Sequence, residues 1–115
     1  MIYYQQQKSD SAIFAWEKTV ALNPNNVDAY SNLGVCYLNF RHDTNKAEEY
    51  WNKTIQLNPE YVQGYLNLMI VCQNKKDENC LLNYLKIVLH KGVSPDQIRQ
   101  RGINITDDLL KKASS

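Results

Sequence analysis

Residues 27–61 read VDAYSNLGVCYLNFRHDTNKAEEYWNKTIQLNPEY, and several residues of this stretch recur 34 or 35 positions away in the chain. The clearest recurrence is between KTVALNP at positions 18–24 and KTIQLNP at positions 53–59, which agree at five of seven places. Internal repetition at this period is typical of arrays in which pairs of helices stack on one another. The stretch therefore predicts a repetitive, helical fold.

Two helices are predicted inside this repeat. The first carries a stripe at i, i+3, i+4 and i+7, which share one helical face: Tyr30, Leu33, Gly34 and Tyr37. The second carries its own stripe at Ala47, Trp51 and Thr54. Pro59 closes the unit because proline cannot continue a helix. Parts of the two stripes recur 35 positions away, at Ala12, Trp16, Thr19, Tyr65 and Leu68.

This pattern resembles the tetratricopeptide repeat (TPR). In that family the first helix has a large aromatic residue, a Leu-Gly pair and a Tyr; the second has an Ala, an aromatic and a small residue before a Pro. Thr54 stands where the family usually has Ala. The resemblance covers residues 1 to about 92. It implies an all-α fold in which antiparallel helix pairs stack as a right-handed superhelical solenoid, with C-terminal capping helices.

The same register predicts how the chain is divided. We expect one domain over residues 1–113, divided into a partial repeat (1–25), a full repeat (26–59), a degenerate repeat (60–92) and a C-terminal cap (93–113). Tyr3 lies nine residues before Ala12, which is the family's separation between the first-helix Tyr and the second-helix Ala. The front half of that first helix is therefore missing, so we expect a fragment that starts inside a repeat, with an irregular cap as the alternative. An incomplete first repeat predicts that Ile13, Phe14 or Trp16 is left partly uncovered.

Local signals predict where the helices begin and end. The second helix of the partial repeat is expected from about Ser9 to Leu22, followed by a cap from Asn25 or Asn26. Thr44 or Asn45 is expected to cap the next second helix, over 46–57. Gly34 weakens its helix by ~1 kcal/mol relative to Ala. Its presence predicts that the second helix of the same pair approaches closely at this position.

The C-terminal part carries further signals of this kind. Gly92 is expected to stop a helix, and a Ser-Pro-Asp-Gln sequence at 94–97 to start another that ends at Arg101. A last helix is expected over 107–113. Together these segments should cover the end of the array with five apolar side chains: Ile98, Ile103, Ile105, Leu109 and Leu110.

Composition and charge exclude several classes of function. Thirteen basic and twelve acidic residues leave a net charge of +1, without the basic surface that binding to phosphate backbones requires. Five of the ten tyrosines and tryptophans fall on repeat packing positions, and none of the other five lies in a run of Lys or Arg, which argues further against a stacking platform for nucleic acid. No apolar run approaches the ~20 residues of a membrane-spanning helix, so we expect no direct membrane insertion.

The cysteines and the N-terminal residues indicate in which cellular compartment the protein is expected. Cys36, Cys72 and Cys80 form no Cys-x-x-Cys motif, and we interpret them as reduced packing residues, with a reactive or paired cysteine as the alternative. Residues 1–7 lack the basic start and apolar core of a signal peptide. These features predict a cytoplasmic location. Two Asn-x-Thr sequons, at 52–54 and 104–106, are too short a pattern to argue otherwise, and the first falls inside a predicted helix.

The sequence contains no recognisable catalytic or metal-binding motif. His42 and His90 have no Cys, Asp or His at metal-ligand spacing, and the glycines do not form a phosphate-binding loop. Asp107 and Asp108 are interpreted as the charged first turn of a helix. We therefore predict a non-enzymatic protein with no cofactor and no metal.

Function is then expected at the surface. In TPR arrays the first helix of each pair lines the concave side, where family members commonly bind an extended peptide or a partner helix. Helical geometry places ten residues on that side: Asp28, Ser31, Asn32, Val35, Asn39, Gln63, Leu66, Asn67, Ile70 and Asn74. Asn32 and Asn67 could hold a peptide backbone by hydrogen bonds, although an Asn before the Leu-Gly pair is also common in the family as a packing residue. Gln63 and Asn67 replace the cations of a co-chaperone clamp, which argues against that function.

Two alternatives stay open. The chain could be an accessory or regulatory domain of a larger, possibly membrane-associated enzyme such as a transferase. It could also associate with itself through the uncovered N-terminal face.

Overall fold

The fold is all-α, as the repeat pattern predicts. The structure is a computed structural model that describes the backbone of residues 2–114 and the side chains of residues 10–114. Within that range the regular secondary structure consists of seven helices: α1 (Ile2–Leu22), α2 (Val27–Asn39), α3 (Thr44–Leu57), α4 (Val62–Asn74), α5 (Glu78–His90), α6 (Pro95–Gln100) and α7 (Asp107–Ser114).

The helices fall into two compact units. The first, Met1–Tyr61, contains α1, α2 and α3; the second, Val62–Ser115, contains the other four helices. The boundary lies two residues after the predicted end of the full repeat at Pro59. In the first unit α2 packs on α3 and on α1, and in the second α4 packs on α5 and α5 on α7. Grouping of the units into a single domain remains a prediction.

Gly34 and Trp51 hold α2 and α3 together. The Trp51 side chain is buried, and its Nε1 donates a hydrogen bond to the carbonyl oxygen of Ser31 at 3.1 Å. A Cβ atom added at Gly34 would lie 2.6 Å from Cδ1 of Trp51, which is closer than real Cβ contacts come. The predicted close approach at Gly34 is therefore confirmed. The tryptophan ring fills the space that any larger residue would need.

The first helix differs from its prediction. Instead of starting near Ser9, α1 is one continuous helix of 21 residues from Ile2 to Leu22. Residues 2–15 contain neither glycine nor proline, and the polar ones include the good helix formers Gln and Lys, so nothing local interrupts the backbone hydrogen bonds. The side chain of Tyr3, on which the partial repeat was aligned, lies outside the described residues.

The N-terminal caps of α2 and α3 are side chains that lie three residues before the amides they bind. The cap of α2 agrees with the prediction, and the cap of α3 differs from it. Asn26 caps α2 by accepting a hydrogen bond from the Ala29 amide at 3.1 Å, as expected. For α3 the cap is Asp43, whose carboxylate accepts from the Lys46 amide at 3.0 Å, so the expectation of Thr44 or Asn45 is wrong. A carboxylate suits this position because the start of a helix carries partial positive charge.

The second unit ends in the predicted cap. Ser94 and Gln97 form a reciprocal capping box at the start of α6, and Gly92 adopts a φ of 94°, which a residue with a side chain rarely takes. Of the five apolar residues expected to cover this end, Leu110 is half-buried and the other four are buried: Ile98, Ile103, Ile105 and Leu109. The cap thus closes the core of its own unit.

The second unit also contains a disulfide that the sequence did not reveal. Cys72 near the end of α4 is bonded to Cys80 in the first turn of α5, and their Cα atoms are 5.6 Å apart. The expectation that all three cysteines are reduced is therefore wrong. A turn of only three residues reverses the chain between the helices, and this proximity is not encoded in any short motif. Cys36 is the free cysteine among the described residues, and burial raises the pKa of its thiol.

Candidate functional site

On α2 the predicted binding residues form a mostly accessible stripe. Asp28, Val35 and Asn39 are exposed and Asn32 is half-buried. Val35 is 37% exposed and supplies the apolar area of this stripe. Ser31, the fifth residue predicted for this helix, is buried and does not contribute a surface.

The α2 stripe is partly preorganised. The hydroxyl of Tyr61 donates a hydrogen bond to Oδ1 of Asp28 at 3.3 Å, which fixes the carboxylate at the start of the helix. Asn32, Val35 and Asn39 follow at i+4, i+7 and i+11 from Asp28, so all four residues lie along one side of α2. The structure therefore places together an anchored carboxylate, two amides and one apolar side chain.

On α4 the predicted residues are less accessible. Asn74 is exposed and Gln63 and Ile70 are half-buried, but Leu66 and Asn67 are buried. Asn67 is only 4% exposed, so its amide is not offered to a ligand in this structure. The burial of Leu66 and Asn67 does not follow from helical geometry alone, because six consecutive residues of α4, 64–69, are buried. Burial on more than one face is a property of packing, and a helical wheel cannot show it.

Exposed apolar side chains concentrate in the first unit. Phe14 is 71% exposed, and Leu22 and Phe40 are also exposed. Of the three residues predicted to be left uncovered, Phe14 is exposed, Trp16 is half-buried and Ile13 is buried. The sequence does not predict that Leu22 and Phe40 are exposed, because both lie at helix ends, where the repeat pattern has no signature residue. Self-association through the uncovered N-terminal face remains a prediction.

Tyr50 and Tyr84 belong to two aromatic clusters, one in each unit. The ring of Tyr50 lies 5.6 Å from that of Tyr37 and 6.3 Å from that of Tyr30, and the Lys46 ammonium lies 5.5 Å from the Tyr50 ring. In the other unit Tyr84 contacts Tyr65 in the same way. Since these rings pack on one another, they are arranged for internal packing.

The described side chains offer no obvious chemistry. Among residues 10–114 no group of three or more His, Cys, Asp or Glu is placed to hold a metal ion. Burial, followed by repulsion from Tyr37 and Glu17, raises the pKa of Tyr50 to about 12, and burial raises that of the Cys36 thiol. Both shifts oppose formation of a nucleophilic anion at neutral pH. No helix in the described part of the chain is long and apolar enough to cross a membrane.

Comparisons with known proteins agree with this architecture. A family model described as TPR repeat matches residues 1–39. Among solved structures, the crystal structure of MamA is similar, with a TM-score of 0.69 and 28% sequence identity over 76% of this chain. The chain spans about half of MamA, 51% of its length. No curated protein matches.

Proposed function

We propose that the chain, which resembles tetratricopeptide-repeat proteins and matches their family model over residues 1–39, binds a peptide or a helix of another protein through the accessible faces of its first helices. The observation that carries the proposal is the α2 stripe of Asp28, Asn32, Val35 and Asn39. It combines surface apolar area with amides at regular spacing. Such a combination suits a partly apolar segment, and the Asp28 carboxylate disfavours a phosphate backbone or another anionic ligand.

The dimensions of the stripe fit this type of partner. From Asp28 to Asn39 the helix rises about 16 Å, at 1.5 Å per residue. An extended peptide of about five residues covers the same distance at ~3.3 Å per residue. Asn32 and Asn39 can each pair with backbone groups of such a peptide, while Val35 contacts an apolar side chain between them.

On α4 a second, smaller face supports the same mode of binding. Gln63, Ile70 and Asn74 again combine an aliphatic side chain with amides along one side of a helix, at i, i+7 and i+11. Leu66 and Asn67 are not part of this face, since both are buried. The proposal therefore rests on seven of the ten residues expected from the sequence: Asp28, Asn32, Val35, Asn39, Gln63, Ile70 and Asn74.

Capture of a partner from a lysate of the source organism tests the proposal. The parent chain is compared with a variant carrying Val35→Glu and Ile70→Glu, which places a charge in the apolar centre of each face. Phe14→Glu is the matched control, because it puts the same charge on an exposed apolar residue of α1. Circular dichroism verifies that all three proteins are folded.

The expected result is a protein retained by the parent and by Phe14→Glu and lost by the double variant. Its dissociation constant should rise at least about tenfold, or 1.4 kcal/mol, in the double variant. Equal binding by all three proteins would contradict the proposal. Loss in Phe14→Glu alone would move the site to α1. The alternative that the chain is an accessory domain of a larger enzyme remains a prediction, and this experiment does not test it.

A further inference from the structure

The segment between α6 and α7 alternates between buried and exposed residues. Ile103 and Ile105 are buried, whereas Asn104 and Thr106 are exposed. This alternation is that of an extended chain, in which side chains at i and i+2 point to the same side. As a result, Asn104 and Thr106 of the sequon Asn104-Ile105-Thr106 are both exposed, and Oγ1 of Thr106 accepts a hydrogen bond from the Leu109 amide at 3.1 Å at the start of α7.

The backbone of this segment is held without help from the Asn104 side chain. The amide group of Gln73 donates to the carbonyl oxygen of Gly102 at 3.0 Å and accepts from the Asn104 amide at 2.6 Å. Nη2 of Arg99 donates to the carbonyl oxygen of Ile105 at 3.0 Å. The sequon is thus displayed on a non-helical segment that is held by the backbone amide of Asn104 and by its neighbours, and not by the Asn104 side chain.

A second, independent observation concerns the compartment. The bond between Cys72 and Cys80 lies in the same unit as this sequon. Disulfides form and persist in oxidising environments, including the lumen of the secretory pathway. Asn-linked glycosylation takes place on sequons in exposed loops of proteins in that pathway. An accessible sequon and a disulfide therefore point to the same chemistry.

We propose that Asn104 is a site of N-linked glycosylation. The co-substrate is an oligosaccharide joined to a lipid pyrophosphate, and an oligosaccharyltransferase catalyses the step. The side-chain nitrogen of Asn104 forms a bond to the anomeric carbon of the sugar, the bond between that carbon and the pyrophosphate oxygen breaks, and the amide proton is released with the pyrophosphate. No oxidation or reduction is involved.

The other sequon of the chain, at Asn52, is an internal contrast. It lies within α3, where residues two apart point about 200° away from one another. Its Thr54 is 0% exposed, and the Thr54 hydroxyl donates to the carbonyl oxygen of Trp51 at 2.6 Å. A transferase cannot reach that hydroxyl in the folded chain, so Asn52 is expected to be unmodified in the folded protein.

Mass spectrometry of the protein from its native source tests the proposal directly. The peptide containing Asn104 should carry a glycan that a peptide N-glycanase removes by hydrolysing the side-chain amide, leaving Asp at that position. Alkylation without reduction should leave Cys72 and Cys80 unlabelled. An unmodified Asn104 would overturn the proposal. Free Cys72 and Cys80 thiols would overturn its premise and favour the cytoplasmic location predicted from the sequence.

Variants expressed with a secretion leader in eukaryotic cells provide the matched control. The glycosidase-sensitive shift in mobility should be lost in Asn104→Gln and in Thr106→Ala but kept in Thr106→Ser, which retains the hydroxyl. The Asn52→Gln variant should shift like the parent. A shift that is lost in Asn52→Gln and kept in Asn104→Gln, or a parent that does not shift, would contradict the proposal.

Discussion

At the scale of single residues, the contact between Gly34 and Trp51 sets how closely α3 approaches α2. The absence of a side chain at position 34 leaves room for the pyrrole edge of the tryptophan, while Nε1 of Trp51 satisfies the carbonyl oxygen of Ser31. Glycine normally weakens a helix relative to alanine, by ~1 kcal/mol. Here the gain in packing outweighs that cost.

The cost of glycine to the helix and the gain in packing against Trp51 can be separated by mutation. In the parent, Gly34→Ala should lower the free energy of unfolding by about 1–3 kcal/mol, because the new methyl group overpacks the contact. In a Trp51→Leu background the ring is gone, so the same change should be neutral or stabilising by up to about 1 kcal/mol. Urea unfolding of the four proteins measures both values. A loss of equal size in the two backgrounds would show that the ring is not what excludes a side chain at position 34.

Tyr50 makes stability depend on alkaline pH. Burial, with repulsion from Tyr37, Glu17 and Glu49, raises the pKa of its phenol from 10 to about 12 in the folded protein. A group whose pKa is higher in the folded state stabilises the fold below its unfolded pKa, and this contribution is lost as the pH rises through the folded pKa. Between pH 10 and pH 12 the parent should therefore lose more stability than Tyr50→Phe. Parallel loss in the two proteins would be inconsistent with a raised Tyr50 pKa in the folded state.

At the scale of the helix, the ends are determined by short-range hydrogen bonds that compete with one another. Three polar residues, Asp43, Thr44 and Asn45, precede the apolar stripe of α3, and each can act as a cap. His42 adopts a φ of 55°, and directly after it the Asp43 carboxylate reaches the Lys46 amide. The helix consequently starts at Thr44, two residues before the predicted start at position 46.

This assignment predicts unequal effects of two neighbouring mutations. Asp43→Ala should lower the free energy of unfolding by about 1 kcal/mol, because one amide of the first turn loses its partner. Asn45→Ala should be nearly neutral, since Asn45 is exposed and lies inside the helix. Thermal or urea unfolding of both variants makes the comparison. A larger loss in Asn45→Ala would restore the cap expected from the sequence.

At the scale of the whole molecule, the disulfide is confined to one unit. It closes a short loop between α4 and α5, which reduces the freedom of the unfolded chain. The two tryptophans, Trp16 and Trp51, both belong to the other unit. Tryptophan fluorescence therefore reports on Met1–Tyr61, whereas circular dichroism reports on all helices.

Reduction should act mainly on the second unit. A dithiol reductant is expected to lower the free energy of unfolding of that unit by about 2–3 kcal/mol, from the loop-closure entropy of a bond with a separation of 8. The midpoint from circular dichroism should fall more than the midpoint from fluorescence. In a Cys72→Ala, Cys80→Ala double variant the reductant should change neither midpoint. Insensitivity of the parent to reductant would mean that the bond does not form in solution.

The sequence by itself determined the repeat, the pairing of α2 with α3, the residues of the C-terminal cap and the accessible side of α2. These features follow from spacing and from residues whose local chemistry is decisive, such as Pro59, Gly34 and the Ser94 capping box. Only the tertiary structure decided the burial of Leu66 and Asn67 on α4, and the bond between Cys72 and Cys80. The physical reason is the same for both: burial and disulfide formation depend on distances between segments, which the periodicity of one helix does not contain.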